Sequence, residues 1–505
     1  LRARTKDVGC KMGVLARQTS WITLLTAAGL VLGFLNMSLL FPRYLPAADF
    51  GLLRLVVSIA IVAGQVAHLG LEATLIRYLP YVRGRATRRG GLLQGVLLAG
   101  TLGTTLAIIV LWAMHAELAR WFSDRSDRYG TYGLVVLPLL IAEVYFLLLR
   151  GYSRAVHRSI APVFVREFLL RALQTGLIVA HVFLDMAFPV FLGLFTATFV
   201  LTTVALFVHL WRNGELTVLR KVEPLPARMR SSMKRFALIT LGVGVSGVAA
   251  GNIDQVMLAA MLHDGLEKVA YYAVAMFMAS VIMVPSRAMV QPALPLIAEA
   301  WRRRDHAHIA ALYRRSTTLL LAIGGFVALC ICTNVSAIYS FMRPEYAAGA
   351  RVLVILCVAN LVNLAGGLGG SIIGTSRSYL FDASSGLLYL GLNVVLDYLF
   401  ILWWGMEGVA WSTLASMVIV IAWRVAFLHR RFGFWPYDAK ALVICAVAGA
   451  LAALVILLPS TGQFLADIAL RCTLIALVYG GLLWKAGVVP DIEAMVRKRL
   501  RPRSA

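Results

Sequence analysis

Long apolar runs recur along this chain from end to end, and that recurrence limits its possible folds more than any other feature. They fall at 18–42, 51–70, 91–114, 130–151, 162–184 and 188–211, then at 236–260, 269–292, 316–341, 350–373, 380–402 and 408–428, and finally at 439–458 and 465–486. An α-helix rises about 1.5 Å per residue, so a run of about 20 residues matches the ~30 Å hydrocarbon layer of a bilayer. The runs do not alternate apolar with polar residues, as strands of a membrane barrel would. Inside hydrocarbon every backbone polar group must find a partner within the chain, which leaves the helix as the spanning element. The reading is an all-α integral membrane protein with about fourteen transmembrane helices. Composition agrees: 60% of residues are hydrophobic and 14% charged, against about 45–50% and about 25% in soluble domains.

The formal net charge is +24. In a soluble chain that excess would raise the question of nucleic acid. Here the basic residues gather between the apolar runs: Arg83, Arg85, Arg88 and Arg89; Arg302, Arg303, Arg304, Arg314 and Arg315; and Arg497, Lys498, Arg499, Arg501 and Arg503. With the N-terminus in the cytoplasm these clusters all fall inside, as the positive-inside rule requires. An even span count then brings the C-terminus inside too, and no nucleic-acid partner is needed. Five of the six cysteines, Cys330, Cys332, Cys357, Cys445 and Cys472, lie within apolar runs, and Cys10 is in the N-terminal segment. Their spacing fits neither a metal site nor a disulfide framework. No small-residue cleavage site follows the first apolar run. Met12 reads as a start residue, which would make residues 1–11 an upstream extension; a non-ATG start at Leu1 is the alternative.

One long polar break, Arg212 to Arg235, contains Pro224 and Pro226 and reads as a linker. The expected organisation is an N-terminal cytoplasmic segment (1–17), a first six-helix lobe (18–211), a cytoplasmic linker (212–235), a second six-helix lobe (236–428), a helix pair (439–486) and a basic cytoplasmic tail (487–505). The two lobes carry traces of a repeat. The fourth run ends Gly151-Tyr152-Ser153-Arg154-Ala155 and the tenth ends Gly374-Thr375-Ser376-Arg377-Ser378. At a similar offset Phe50-Gly51 opens the second run and Ala270-Tyr271 the eighth, and Trp211-Arg212 and His429-Arg430 close the sixth and twelfth. Two units of six spans enter from the same side, so they would be related by an axis along the membrane normal.

Several segments carry a family likeness. Met12 to Gln18 precedes the first span, and Phe41-Pro42-Arg43-Tyr44-Leu45 with Phe50-Gly51-Leu52 follows it. Asn252-Ile253-Asp254-Gln255-Val256-Met257-Leu258 closes the seventh, and Tyr271-Tyr272-Ala273-Val274-Ala275 opens the eighth. Asn393-Val394-Val395-Leu396-Asp397-Tyr398 and Gly405 to Ala410 join the eleventh to the twelfth. In these, over nearly its whole length, the chain resembles the multidrug/oligosaccharidyl-lipid/polysaccharide (MOP) exporter superfamily, in its Wzx-like oligosaccharide-flippase branch. The resemblance implies two six-helix lobes around a central cavity of alternating access. It also implies residence in the bacterial inner membrane. Fourteen spans favour a polyprenyl-linked cargo over a small drug, because drug antiporters of the family usually have twelve.

Charges inside spans cost roughly 2.5–3.5 kcal/mol each on insertion scales, so each needs a partner or a purpose. Glu143, in the middle of the fourth run, is either a cavity-facing ion site or half of an interhelical ion pair. The fifth run carries Glu167, Arg171, Gln174 and His181. Spacings of four, three and seven set them on one helical stripe, with Glu167 and Arg171 paired at i,i+4. Such a stripe faces an aqueous cavity or a polar seam between helices. Arg166 reads as an edge residue that snorkels. Cationic residues of related flippases on the second and eighth helices meet cargo phosphate, and the resemblance places Arg54 and Arg287 comparably, with snorkelling from the external end of the second run as the alternative for Arg54. Arginine's planar fork suits phosphate. Asp254 reads as a coupling-ion ligand or a helix cap, while Asn360, Asn363 and the pair Asn393 and Asp397 read as interhelical hydrogen-bonding groups.

No Walker A pattern, zinc motif or G-x-S-x-G is present, and the loops are too short for a catalytic domain. The expectation is a non-enzyme without cofactor or metal. Its function would be to move an undecaprenyl-pyrophosphate-linked oligosaccharide across the inner membrane for cell-surface polysaccharide such as O-antigen or exopolysaccharide. Its partners would be that cargo, membrane lipids, a polysaccharide polymerase and glycosyltransferases. A multidrug/cation antiporter and a non-transporting assembly scaffold are the alternatives.

Overall fold

The computed structural model describes residues 21–82, 86–123, 127–215, 225–456 and 464–485, with residues 223 and 487. The segment 1–17, residues 216–222 and 224 of the linker 212–235, and nearly all of the tail 487–505 lie outside the described residues. Among the described residues the regular structure is helical throughout. Eleven helices are long and apolar enough to cross a membrane, and a twelfth span results if one bent pair is counted as a unit.

Contacts divide the chain into two compact units, residues 1–270 and 271–505. The first opens with α1 (Trp21–Tyr44) and α2 (Ala47–Ala67), which is continued after a turn by α3 (Leu71–Val82). Then come α4 (Ala86–Ala113), α5 (Arg128–Ala155), α6 (Ile160–Leu184) and α7 (Phe188–Arg212). Last is the bent pair α8 (Ala227–Ala249) and α9 (Ile253–Met261), inclined by 55°. Proline sets several of these boundaries. Pro46 and Pro226 stand at the N-caps of α2 and α8, and Pro189 lies in the first turn of α7. There the missing N–H leaves no bond unmade.

The helices α8 and α9 pack within the first unit. Ser58 of α2 donates to the Gln255 side chain of α9 (3.1 Å), Tyr78 and Ser232 share a hydrogen bond of 2.7 Å, and Thr240 donates to the Gly70 carbonyl (3.3 Å). The compact boundary therefore falls after residue 270, beyond the polar linker that marks the boundary in the sequence. Lipid tails are as apolar as leucine, so helices associate through close packing and interhelical hydrogen bonds. Gly51 shows the first device: the Leu266 backbone occupies the space a Cβ would need.

The second unit contains most of α10 (Gly265–Arg303), then α11 (His306–Thr333), α12 (Pro344–Ala365) and the short α13 (Gly369–Thr375). In α10 the helix tightens to a 3₁₀ turn at Ser280–Met283, just before Pro285 withholds its N–H. A 54-residue helical element, Tyr379–Phe432, holds one non-helical residue, Gly405 (φ 56°, ψ −130°). It is a hairpin of α14 (379–404) and α15 (406–432). Ser412 Oγ reaches the Asn393 carbonyl at 3.3 Å, whereas one straight helix would hold them roughly 28 Å apart. Gly405 supplies the backbone conformation that closes the hairpin, and Gly408 lets α15 touch the Phe400 backbone. The unit ends with α16 (Ala439–Ile456) and α17 (Phe464–Lys485). The hairpin at Gly405, counted as one long helix, and the short α16 are where the span count departs from the fourteen runs of the sequence.

The two repeated G-x-S-R segments both close helices. Ser153 Oγ donates to the Arg158 carbonyl (2.6 Å) after α5, and Ser376 Oγ to the Ile373 carbonyl (2.7 Å) after α13.

Candidate functional site

The candidate residues fall mostly in the first unit. Its core of Leu75, Leu79, Leu140, Val144, Tyr152 and Leu206 packs α3, α5 and α7 together. That packing fixes α6, which carries four of the candidates.

Each of these four has a distinct setting. Glu167 and Arg171 form the ion pair expected from their spacing, at 2.9 Å. Arg171 also donates to the Gly29 carbonyl of α1. Asn36 of α1 donates to the Arg171 carbonyl (2.9 Å) and accepts from Thr175 (2.8 Å). Both helices contain a π-helical segment here, Leu35–Leu40 in α1 and Phe164–Leu169 in α6. Such segments often mark functional sites. Asn36 and Thr175 were missed by sequence reasoning, although a lone Asn within an apolar run was a legible signal. Gln174, buried, lies one turn beyond Arg171, and His181 two turns further. The His181 ring centroid is 5.0 Å from that of Phe191, and its Nδ1 is buried without a hydrogen-bond partner.

Gln174 faces Arg54 of α2 across a small cavity of about 30 Å³, walled by Phe41, Phe50, Phe195 and Phe199. Arg54 Nε is buried and makes no hydrogen bond. Among the described residues no carboxylate pairs with Arg54. An uncompensated buried ion costs several kcal/mol even after relaxation. The arrangement thus holds a half-buried cation with an unsatisfied Nε beside a neutral amide, which is the preorganisation an anion would find favourable.

Glu143 is committed elsewhere. It pairs with Arg166 at 2.5 Å, and the guanidinium lies 5.0 Å from the Phe146 ring centre and 5.4 Å from that of Phe199. Arg166 therefore does not snorkel; the π-helical segment turns it toward α5 and α7 while the adjacent Glu167 engages Arg171. Asp254 is buried in the first turn of α9, where the helix dipole favours a carboxylate. The N-cap position belongs to Asn252, whose side chain makes no cap hydrogen bond.

Arg287 belongs to the second unit. It is exposed on α10 between Pro285 and Pro292, with no ion pair or side-chain hydrogen bond among the described residues. Asn360 holds α12 to the Ala279 carbonyl (3.2 Å), as the hydrogen-bonding reading expected. Asn393 and Asp397 are fully buried on α14. Several ion pairs had no forecast, among them those of Glu72 and Asp382. Glu72 of α3 takes a two-pronged pair from Arg150 (both 2.7 Å) and a longer one from Arg154 (3.4 Å). Asp382 pairs with Arg424 at 2.9 Å within the α14–α15 hairpin. Among the described residues no group of three or more His, Cys, Asp or Glu is placed to hold a metal.

Fold and sequence pattern define a polytopic helical membrane protein. Solved structures place the architecture more closely. The chain is similar to the lipid II flippase MurJ in an inward closed conformation, with a TM-score of 0.68 at 13% identity over 92% of this chain and 99% of that one. It is also similar to an inward-facing multidrug resistance MATE family transporter of the MOP superfamily, at 0.65 and 13% over 82% and 94%. The MATE transporter VcmN of Vibrio cholerae matches at 0.52 and 15% over 85% and 99%. The fold is that of the MOP superfamily, as the sequence resemblance implied. No family model and no curated protein matches the chain.

Proposed function

We propose that the protein is a flippase carrying an undecaprenyl-pyrophosphate-linked oligosaccharide from the cytoplasmic to the external leaflet of the bacterial inner membrane, for cell-surface polysaccharide synthesis. The observation that carries this reading is Arg54, a half-buried arginine whose Nε is buried without a hydrogen-bond partner and which no acid pairs among the described residues, beside Gln174, with Arg171 one turn away on α6. A cavity selecting organic cations would place a carboxylate there. The physical task is to take a pyrophosphate and a hydroxyl-rich head through ~30 Å of hydrocarbon, which costs tens of kcal/mol by Born solvation if nothing replaces the lost water. Arg54, Arg171 and Arg287 would supply that replacement. Glu167 and the Gly29 carbonyl would hold Arg171 until phosphate competes for it. The polyprenyl tail stays in the membrane throughout. In this reading Asp254 and His181 are the groups available for ion coupling, while Glu143 positions α6 through Arg166. The membrane potential adds about 2.3 kcal/mol per charge per 100 mV, favourable for an anion leaving a negative interior. The polymerase and glycosyltransferases of the same polymer would be partners.

The test is surface polymer in a strain lacking its native flippase, normalised to membrane protein level. Restoration by the wild-type chain and loss with Arg54→Ala supports the reading. Organic-cation efflux from spheroplasts without polymer restoration would instead assign the multidrug alternative.

A further inference from the structure

The second unit holds a polar cavity that none of the roles above uses. It has a volume of about 110 Å³ and lies where α11, α12, α13 and α15 meet. Tyr313, Asn363, Ser371 and Arg424 face it, and the wall between α12 and α13 is a glycine run. That wall keeps the polar atoms uncovered. A Cβ at Gly369 would stand 2.9 Å from Tyr313 Oη, and one at Gly370 3.4 Å from Arg424 Nη1. The positive φ of Gly367 (52°) makes the turn that brings the run to the cavity.

Its chemistry is specific in kind. Tyr313 is fully buried, yet its hydroxyl has no hydrogen-bond partner. Arg424 gives Nε to Ser385 (2.8 Å) and Nη2 to Asp382 (2.9 Å), which leaves Nη1 toward the glycine wall. The Asn363 amide makes no side-chain hydrogen bond among the described residues. Asp382 cancels the charge of Arg424, so the cavity is not an anion site. What remains is a set of groups offering donors and acceptors together, and a hydroxyl is both a donor and an acceptor. An orphaned buried hydroxyl is unfavourable, and its retention calls for a partner that satisfies it.

We infer that this cavity is a sugar subsite, which receives one hydroxylated ring of the cargo head. The inference rests on the flippase reading and extends it: the arginines of the first unit meet the phosphate, and this cavity reads the carbohydrate. Arg424 and Asn363 offer planar groups to neighbouring ring hydroxyls, and Tyr313 gains the bond it lacks. The Asp382 and Ser385 contacts hold the Arg424 fork in the plane that makes this possible.

The probe is a panel of free sugars (glucose, galactose, rhamnose and N-acetylglucosamine) at millimolar concentration, with purified full-length protein and saturation-transfer NMR. At least one sugar should receive saturation. The signal should fall at least fivefold in Gly370→Leu, which fills the cavity, and in Tyr313→Phe, which removes a single oxygen. Because that hydroxyl bonds nothing in the empty protein, Tyr313→Phe should melt no lower than wild type without sugar, which separates lost binding from misfolding. Saturation of no sugar, or equal saturation in both variants, would mean that the cavity holds only water and would overturn the inference. Displacement of the sugar by inorganic pyrophosphate would overturn it as well. The polymer assay is independent. Polymer export without sugar binding removes this subsite and leaves the flippase reading; sugar binding without chain-dependent export does the reverse.

Discussion

Replacing Arg54 by methionine should make the protein more stable and disable it. The two effects have one cause. Arg54 Nε is buried without a hydrogen-bond partner, and a buried donor left unsatisfied costs about 1–3 kcal/mol. Exchanging buried ion pairs for apolar side chains of similar volume has stabilised other proteins by about 1–4 kcal/mol, and an arginine without its partner acid loses no pairing when it is replaced. Arg54 keeps part of its exposure and has Gln174 nearby, so the gain belongs in the lower half of that range, about 1–2 kcal/mol. Methionine fits the slot, because the wall is aromatic and apolar and the side chain is flexible. The assay has two arms: thermal melting of the detergent-solubilised protein by fluorescence-detected size exclusion, and surface polymer in the flippase-deficient strain. The expected result is a higher melting temperature with polymer reduced to background. Arg54→Lys keeps the charge and loses the fork, and should fall between. A lower melting temperature with polymer unchanged would show Arg54 to be a structural residue with a partner in the working protein, and the anion-site argument would fall.

Other outcomes follow from the same geometry. Arg287→Ala and Arg171→Ala should each reduce surface polymer, with Arg287→Glu lowest of all because it repels phosphate; wild-type polymer from both Ala variants would leave these charges only a helix-orienting role. Arg166→Ala strands the Glu143 carboxylate and should destabilise by about 3–5 kcal/mol, while the double variant Arg166→Met with Glu143→Gln should recover most of that loss in the same melting assay; no recovery would mean the two side chains act apart. Reporter fusions after Arg235 and at Ala505 should both read cytoplasmic, and an external signal at either would overturn the even span count. Deleting the tail from Arg497 should leave polymer export largely intact in a stably expressed protein, since its basic residues need only the anionic inner leaflet.

The bilayer made the fold class legible, because hydrocarbon admits few solutions and each writes a run of fixed length into the sequence. The hairpin at Gly405 was legible for the same reason, as two runs separated by a short gap. The Glu167–Arg171 pair was read from spacing alone and is present at 2.9 Å. What was not legible depends on which helix faces which. Arg166 looked like an edge residue until the π-helical segment Phe164–Leu169 turned it onto Glu143, and such a segment has no reliable sequence mark. Glu72 and Asp382 lie near helix ends, where an acid beside water needs no partner, so nothing in the sequence distinguished them as paired. The placement of α8 and α9 in the first unit rests on contacts such as Ser58 with Gln255, about 200 residues apart in the chain, which no local pattern encodes.

The charge pattern that results is itself an argument about cargo. Glu72, Glu143, Glu167 and Asp382 lie 2.5–2.9 Å from Arg150, Arg166, Arg171 and Arg424 respectively. In a chain with 48 basic and 24 acidic residues, these in-helix acids are already matched. Arg54 and Arg287 are cations on spanning helices without such a match among the described residues. Insertion of each costs roughly 2.5–3.5 kcal/mol, and neither returns that cost through an ion pair within the fold. An organic cation would add to the imbalance, whereas a pyrophosphate would relieve it. The arrangement of charge is thus a further argument for the anionic cargo proposed above.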